Sequence, residues 1–337
     1  MFIFDYSETG PQIKNSSRYF CYVNQKEGLV FKSTGSHYSV MDSNGDFHNC
    51  VLKGKIRLKG IKSTNPIAVG DVVKFDTGKG TIISINERRN YLIRRSNNLS
   101  KYSHIIAANV DKALLIASVK SPRTSQGFID RFLLTCEAYG IEAVIVMNKC
   151  DQLSEEELNE VAGLLALYEE IGYTTLMTSA EEKVNISEIE ELIKGQTTLF
   201  SGHSGVGKST IINLLMPDLG LKTGAISEVN YKGKHTTTFA EMFVKEGSTF
   251  IIDTPGIKDF GLVNMEKEEV SHYFREMAEL LADCKFSNCM HTHEPGCAVI
   301  AALEEGLIDP GRYHSYRGIL EGDEEINNPD YLWRKTL

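Results

Sequence analysis

Residues 197–215 read TTLFSGHSGVGKSTIINLL, and this stretch decides the fold of the central part of the chain. Its apolar start predicts a strand, KSTIINLL predicts a helix, and the residues between them match G-x-x-x-x-G-K-[ST], a motif that requires this context. The glycines let backbone N–H groups close around phosphates, and the helix N-terminus adds positive potential. The alternative is a chance glycine-rich turn. The motif consists of Gly202, His203, Ser204, Gly205, Val206, Gly207, Lys208 and Ser209.

Individual side chains of this motif and of a second one have distinct expected tasks. Lys208 is expected to reach the β- and γ-phosphates, and the Ser209 hydroxyl is expected to ligate Mg2+. The sequence D-T-P-G at 253–256 follows the apolar run TFII. Asp253 is then placed to hold Mg2+ through water, while the Gly256 amide meets the γ-phosphate.

The phosphate motif does not choose between ATP and GTP, but N-K-C-D at the end of the apolar run AVIVM favours guanine. The Asp151 carboxylate can accept from guanine N1–H and the 2-amino group, whereas adenine would leave it unpaired in a partly dry site. Read alone, the tetrapeptide could be an ordinary polar loop. Ser179 and Ala180 match a short S-A element that supports the base through backbone N–H groups. The tetrapeptide consists of Asn148, Lys149, Cys150 and Asp151.

The polar stretch 220–238 is long for a connection inside a compact domain, which indicates a functional loop. It ends in GKHTTT, and one threonine, assigned here as Thr237, is expected to complete the Mg2+ shell when the γ-phosphate is present. The alternative is a surface loop without this role.

The order of the motifs is unusual, because N-K-C-D precedes the phosphate loop instead of following it. A sheet tolerates such a circular permutation when the rejoined ends lie close together. Ile257 also stands directly after D-T-P-G, where Ras-like GTPases carry the glutamine that orients water, so unassisted hydrolysis should be slow. We hypothesise that His235 positions the water once a partner is bound; the alternative is a loop histidine without a catalytic role.

Buried strands and amphipathic helices alternate from about residue 107, which predicts a mostly parallel sheet covered on both faces. The helices FIDRFLLTCEAYG and SEEELNEVAGLLALYEEIG separate the strands, and Ser154 with Glu157 forms a capping-box pattern. Ligands of such sheets lie beyond the carboxyl ends of the strands, where all the motifs fall.

Residues 27–95 read instead as short strands with glycine-rich turns, which predicts a small barrel. Between residues 51 and 101, twelve Lys or Arg face three acidic residues, although the whole chain carries a net charge of -9. Arg88, Arg89, Arg94 and Arg95 belong to this surplus. One strand places four cations on a single face, which favours RNA binding; the alternative is a solvated edge strand. These cations are Lys53, Lys55, Arg57 and Lys59.

Three cysteines cluster near the C-terminus in the pattern C-x4-C-x-H-x5-C. Four such ligands suit a tetrahedral Zn2+ site, and because the protein supplies all of them, a structural role is favoured over a catalytic one. His293 remains an alternative to His291, although the spacing favours His291. The predicted ligands are Cys284, Cys289, His291 and Cys297.

The chain of 337 residues is long enough for two or three domains, and it has no signal-peptide pattern and no apolar run of membrane-spanning length. We therefore expect a cytoplasmic protein that does not enter a membrane, and a monomer in solution. The predicted divisions are an unassigned extension (1–26), the barrel (27–100), the permuted GTPase domain (101–264) and a zinc-binding helical domain (265–337).

The basic barrel, the order N-K-C-D, S-A, G-H-S-G-V-G-K-S, G-K-H-T-T-T and D-T-P-G, and the cysteine spacing together resemble the ribosome small subunit-dependent GTPase A family over roughly residues 27–325. The resemblance implies an OB-fold barrel and a GTPase that the small ribosomal subunit stimulates during its late maturation. It also implies GTP contacts extending to Thr210, zinc on the four ligands above, and a catalytic role for the histidine at 235. The first 26 residues depart from the family's usual start.

The residues are compatible with two functional interpretations and fit a third less well. In the first, the GTP-bound protein docks on 16S rRNA through the barrel, and hydrolysis releases it as a checkpoint. In the second, the nucleotide only sets the RNA affinity of a binding module. A GTPase for a protein or metal-trafficking client is a third possibility, but it gives the cationic strand no task.

Overall fold

A computed structural model of the chain describes residues 24–52, 65–95, 103–221, 240–254 and 265–322. Within these ranges, no helix has both the length and the apolar character needed to cross a bilayer.

Five strands near the N-terminus form a closed barrel. They are β1 (Gln25–Ser33), β2 (His37–Asp42), β3 (Phe47–Leu52), β4 (Val72–Asp76) and β5 (Thr81–Ile85). Hydrogen bonding runs β1-β2-β3-β5-β4, and β4 pairs back onto β1, which is the five-stranded arrangement of an OB-fold. The predicted barrel is therefore confirmed.

The barrel core follows from the period-two pattern of its strands. Along β2, Tyr38 and Val40 point inward and pack with Val30, Val73 and Phe75 of the neighbouring strands. β1 closes the barrel by pairing with both β2 and β4 at Gly28. A Cβ at this position would lie 2.6 Å from Val40 Cγ1, so the close approach of the strands requires glycine.

A hairpin of β6 (Tyr91–Arg95) and β7 (Ser103–Ala108) leads from the barrel into the central sheet. That sheet contains six strands in the order β10-β9-β8-β11-β13-β12, of which β12 is antiparallel to its neighbour β13 and the other five are parallel. The strands are β8 (Lys112–Ala117), β9 (Glu142–Met147), β10 (Thr174–Met177), β11 (Thr197–Ser201), β12 (Glu241–Glu246) and β13 (Thr249–Asp253).

Four helices cover the two faces of this sheet, as the alternating pattern predicted. They are α1 (Gln126–Ala138), α2 (Glu155–Glu170), α3 (Ile186–Ile193) and α4 (Lys208–Leu215). α1 and α2 pack on one face through residues such as Phe132 and Leu165, and α3 and α4 pack on the other through Ile189 and Ile212. Each such side chain contributes roughly 1.5–3 kcal/mol when fully buried. The capping box of Ser154 and Glu157 is present at the start of α2.

The barrel and the central sheet are continuous. β1 of the barrel pairs with β12 through Lys32 and Glu241, whose side chains also form an ion pair at 3.0 Å. The result is one sheet of eleven strands that runs from the barrel to β10.

Short helices follow the sheet and pack against α1. They are α5 (Arg275–Ala278), α6 (Ala298–Glu304) and α7 (Pro310–Glu321), with 3-10 helices at Lys267–Tyr273 and Leu281–Asp283. Their apolar core contains Val270, Phe274, Val299 and Tyr316, and it also takes in Leu134 from α1. The helical appendage therefore shares part of its core with the central domain.

Candidate nucleotide site and metal centre

The phosphate loop connects β11 to α4, and its backbone explains its glycines. Gly202, Gly205 and Gly207 have φ angles of 148°, 89° and 100°, in the left-handed region that glycine tolerates. A Cβ at Gly202 would overlap the carbonyl oxygen of Ile116, and one at Gly207 would overlap the side-chain amide of Asn148. Backbone N–H groups at the start of α4 are then available to an anion.

The end of β13 brings the D-T pair of D-T-P-G beside this loop. The Lys208 ammonium forms an ion pair with the Asp253 carboxylate. Burial raises the pKa of Asp253, and the neighbouring Lys208 opposes that rise. The Thr254 hydroxyl donates to the carbonyl of Phe200 at 2.8 Å, which fastens the end of β13 to β11. A candidate phosphate-binding cation and a candidate Mg2+ ligand therefore meet at one edge of the sheet.

Asn148 links the guanine tetrapeptide to two other motifs. Its side chain is buried, with 1% of the residue exposed, and its Nδ2 donates to the carbonyl of Val206 at 2.8 Å. Its Oδ1 accepts from the backbone N–H of Ala180 at 3.0 Å and from the Thr178 hydroxyl at 3.2 Å. An asparagine side chain has two donor hydrogens and two acceptor lone pairs. One donor hydrogen therefore remains for a ligand.

Two further members of the tetrapeptide form hydrogen bonds with neighbouring segments. Lys149 adopts φ 68°, and its ammonium donates to the carbonyl of Ser121; burial lowers its pKa, against the effect of Asp151. Asp151 is exposed, and its Oδ1 accepts from the Ser179 hydroxyl at 2.5 Å. The sequence predicted that the S-A element acts through backbone N–H groups. In the structure the Ala180 N–H donates to the Asn148 side chain. Any support of Ala180 for a base would therefore act through Asn148.

One segment beside these motifs carries no recognisable pattern and could not be located from the sequence. It is the segment 118–125, whose Ser121 carbonyl holds Lys149 and whose Pro122 Cδ would lie 3.4 Å from a Cβ at Gly205. The side chain of Phe128, in the first turn of α1, packs on the His203 ring with a centroid distance of 4.0 Å. The phosphate loop is thus supported by α1 as well as by β11.

The structure places the other predicted phosphate-loop residues as follows. Val206 is buried in the core, Ser204 is exposed, and Ser209 and Thr210 are half-buried at the start of α4. Cys150 is half-buried beside Asp151. Several predicted residues lie outside the described ranges, namely His235, Thr237, Gly256, Lys53, Lys55, Arg57 and Lys59.

Two of the arginines counted with the basic surplus form ion pairs within the chain, one buried and one at the surface. Arg88 donates to both oxygens of the buried Asp71 at 2.6 Å, and Arg89 pairs with Asp111 at 2.7 Å. The second contact links the segment that leaves the barrel to the segment that leads into β8. Arg88, with 8% of its side chain exposed, is therefore not available to an RNA-binding face, whereas 63% of the Arg89 side chain remains exposed beside its partner.

The predicted zinc ligands converge in the C-terminal part of the chain. One donor atom from each of Cys284, Cys289, His291 and Cys297 lies within 4.8 Å of the other three. His291 Nδ1 lies 3.6 Å from Cys284 Sγ and 3.3 Å from Cys297 Sγ. Ligands about 2.0–2.3 Å from one tetrahedral ion lie at such separations from each other, so this donor set fits Zn2+.

In the structure His291 lies among the three cysteines, and neighbouring residues hold its turn in place. His293 is exposed and contacts Thr292 instead of the cysteines. Although burial opposes it, three backbone N–H donors of residues 290–293 lower the pKa of Glu294 to about 2. The Tyr313 hydroxyl donates to the carbonyl of His291 at 2.7 Å, which ties the turn to α7.

Solved structures and many known sequences resemble this chain. The crystal structure of YjeQ from Thermotoga maritima superposes with a TM-score of 0.71 at 34% identity and covers 89% of this chain and 98% of that one. A structure described as YloQ, a circularly permuted GTPase, gives a TM-score of 0.67 at 27% identity, covering 92% and 98%. The likeness supports the permuted order of the motifs.

Curated sequences agree with these structures. The small ribosomal subunit biogenesis GTPase RsgA of Flavobacterium johnsoniae is 53% identical over 309 residues, covering 90% of this chain and 95% of that protein. The protein of Bacteroides thetaiotaomicron named small ribosomal subunit biogenesis GTPase RsgA 2 is 52% identical over 302 residues, covering 89% and 97%. Family models for the RsgA N-terminal domain and the RsgA GTPase match residues 27–82 and 85–263, and this chain therefore belongs to the RsgA GTPase family.

Proposed function

We propose that GTP and GDP bind in the cleft between the phosphate loop and the guanine tetrapeptide. The observation that carries the proposal is the position of Asn148, because its side chain contacts the phosphate loop at Val206 and the S-A element at Ala180. The ion pair of Lys208 with Asp253 supports including the D-T-P-G segment in the same nucleotide site. The phosphates would lie on the backbone of residues 202–210 and on the Lys208 ammonium.

Asp151 is proposed to select guanine. Its carboxylate is exposed in the cleft and accepts one hydrogen bond from Ser179, so acceptor capacity remains for guanine N1–H and the 2-amino group. A site that hydrogen-bonds a polar edge rejects analogues that lack it by roughly 10⁴-fold. Titration of the chain with GDP and ADP tests this assignment, and comparable affinities for the two nucleotides would contradict it.

Mg2+ is proposed to bind between the nucleotide and three oxygen ligands: the Ser209 hydroxyl, the Asp253 carboxylate through water, and Thr237 in the GTP-bound form. Oxygen ligands of this kind are those that Mg2+ prefers. When bound, the ion neutralises charge on the β- and γ-phosphate oxygens. The protein's own contribution is to hold Asp253 beside Lys208, which the bond from Thr254 to Phe200 supports.

Hydrolysis of GTP is the activity of this family, and we propose that His235 positions the attacking water. Ile257 cannot take this role because its side chain offers no hydrogen bond. Single-turnover hydrolysis with the partner present should fall in His235→Ala. The matched control is His293→Ala, which removes an exposed histidine outside the metal cluster. Equal rates in the two variants would exclude the role of His235.

The proposed partner is the small ribosomal subunit with its 16S rRNA, for which the names of the relatives provide the support. The GTP-bound protein would dock late in maturation of the subunit, and hydrolysis would release it as a checkpoint. This task places the protein in the cytoplasm, and we propose that it acts as a monomer. GTPase assays with and without purified small subunits test this proposal, with ATP as a control substrate. The subunits should stimulate the hydrolysis of GTP and leave the hydrolysis of ATP unchanged.

A regulated RNA-binding module is the second candidate, in which hydrolysis is incidental. It is favoured by the slow turnover that Ile257 predicts. The same assay separates the two functions, because a GTPase rate that small subunits leave unchanged would favour the binding module over the checkpoint enzyme.

The barrel is proposed to bind rRNA through the cations at 53, 55, 57 and 59. Lys53→Gln with Lys55→Gln should lower the affinity for small subunits and reduce its salt dependence. Lys74→Gln with Lys79→Gln is the matched control, because it removes equal charge from barrel lysines that pair with Glu27 and Asp76. Equal losses in the two double variants would contradict a specific RNA face.

Zn2+ is proposed to be the ion of the cysteine cluster, with a structural role. The donor set of three thiolates and one imidazole supports zinc, and the shared core with α1 gives the metal a folding task. We further propose the domain limits 27–100, 101–264 and 265–337, with residues 1–26 as an unassigned extension.

A further inference from the structure

Helix α1 lies between the nucleotide cleft and the C-terminal helices. At its start, Phe128 packs on His203 of the phosphate loop at 4.0 Å between ring centroids. The segment before it holds Lys149 through the Ser121 carbonyl. One end of α1 therefore supports both the phosphate side and the base side of the cleft.

The other face of the same helix turn carries a buried charge. Asp130 follows Phe128 by two residues, and positions i and i+2 of a helix point in widely different directions. The Asp130 side chain is fully buried, and its Oδ1 accepts from Arg312 Nη1 at 2.7 Å and from the Tyr168 hydroxyl at 2.6 Å. One turn of α1 thus contacts the phosphate loop on one side and α7 on the other.

The Arg312 guanidinium forms hydrogen bonds through Nε and both Nη atoms. Its Nε and Nη2 donate to the two carboxylate oxygens of Glu276 at 2.8 and 2.9 Å, and its guanidinium lies 4.6 Å from the centre of the Phe274 ring. Only 1% of its side chain is exposed. A buried charge bonded in this way cannot shift slightly without losing hydrogen bonds, so the contact between α7 and α1 is either made or broken.

Two further contacts connect α1 to the C-terminal helices. Gln126, the first residue of α1, lies 3.4 Å from the Asp309 carboxylate that caps α7. Glu137, near its end, accepts from Arg275 at 2.7 Å. The C-terminal helices therefore contact α1 along its whole length, and a change in their docking acts on a single rigid element.

We infer that Arg312 is a positioning residue for nucleotide binding, acting through Asp130 and Phe128 so that docking of the C-terminal helices on α1 strengthens the hold of the phosphate loop on GDP and GTP. The inference rests on the nucleotide site proposed above. Coupling between two sites is reciprocal, so bound nucleotide also strengthens the docking of α7.

The test measures the Kd and the dissociation rate of a fluorescent GDP analogue with the full, zinc-loaded chain. Arg312→Gln should raise the Kd at least about fivefold, the lower end of typical couplings between sites. The control is Tyr313→Phe, which removes the neighbouring bond from α7 to His291 but leaves the contacts with α1 intact. It should bind the analogue as the unaltered chain does, with equal zinc content.

The route through α1 has its own test. In a Phe128→Leu background, the effect of Arg312→Gln should shrink, because the contact that transmits it is weakened. An undiminished effect overturns that route.

The results distinguish a failure of the proposed nucleotide site from a failure of the proposed coupling. If the unaltered chain does not bind the analogue, the nucleotide site is wrong. If it binds and Arg312→Gln binds equally well, the coupling is refuted. Should Arg312→Gln fail to fold, hydrogen exchange of the unaltered chain decides the question: saturating GDP should slow amide exchange in α7, and unchanged exchange there overturns the inference.

Discussion

Replacing Asn148 with alanine should destabilise the chain even without nucleotide. The side chain makes three buried hydrogen bonds, with Val206, Ala180 and Thr178. Each contributes a net amount of roughly 1 kcal/mol, and their partners would stay buried without a replacement. The free energy of unfolding should therefore fall by about 3 kcal/mol, which corresponds to a lower melting temperature by about 6–12 °C.

The matched control is Thr178→Val, which keeps the side-chain volume and removes one of the three bonds. Its cost should be about 1 kcal/mol, or roughly 2–4 °C. The assay is thermal unfolding of the nucleotide-free chains, followed by titration with GDP, whose affinity should fall more in Asn148→Ala. If both variants melt at the same temperature, Asn148 does not join the three segments, and the argument for one converged cleft fails.

Three further predictions concern other parts of the chain. Asp151→Asn should bind xanthine nucleotides in preference to guanine nucleotides, because the 2-oxo group of xanthine accepts a hydrogen bond from the new amide. Competition binding measures this preference. Cys297→Ala should lose stoichiometric metal and the C-terminal fold, whereas Cys50→Ala in the barrel should retain the metal by elemental analysis. The Lys120 ammonium beside Glu157 lowers the pKa of that carboxyl from its ordinary 4.5, so its stabilising effect is present above this pH and is lost as the pH falls through the lower value. In urea unfolding, Glu157→Gln should therefore be less stable than the unaltered chain at pH 7, and the difference should vanish in acid; a constant difference would refute this.

Local chemistry made the nucleotide cleft predictable. The phosphate loop requires glycine where φ is positive, and Gly202 and Gly207 stand at such positions. The start of α2 was equally visible, because a capping box involves residues three apart. In each case the interacting groups lie within a few residues of each other, so the sequence itself carries the constraint.

Pairings between distant segments could not be predicted in this way. Arg88 looks like one more surface cation until Asp71, which directly precedes β4, is seen to bind it. Arg312 and Asp130 are 182 residues apart, and neither belongs to a recognisable motif. The number of Lys and Arg residues in a segment does not reveal which of them form ion pairs within the folded chain.

The permuted order has a physical consequence for how the flanking domains reach the nucleotide. The motifs follow β9, β10, β11 and β13, which are parallel, so they meet at one edge of the sheet whatever their order along the chain. Because of the permutation, the chain passes from the barrel into the central sheet at β8, which lies beside the phosphate-loop strand β11. Strand β1 of the barrel also pairs with β12 at the edge of the central sheet. The C-terminal helices come after β13 and fold back onto α1, the helix that supports the phosphate loop. The barrel therefore leads into the strand next to the phosphate-loop strand, and the C-terminal helices pack on the helix that contacts the phosphate loop.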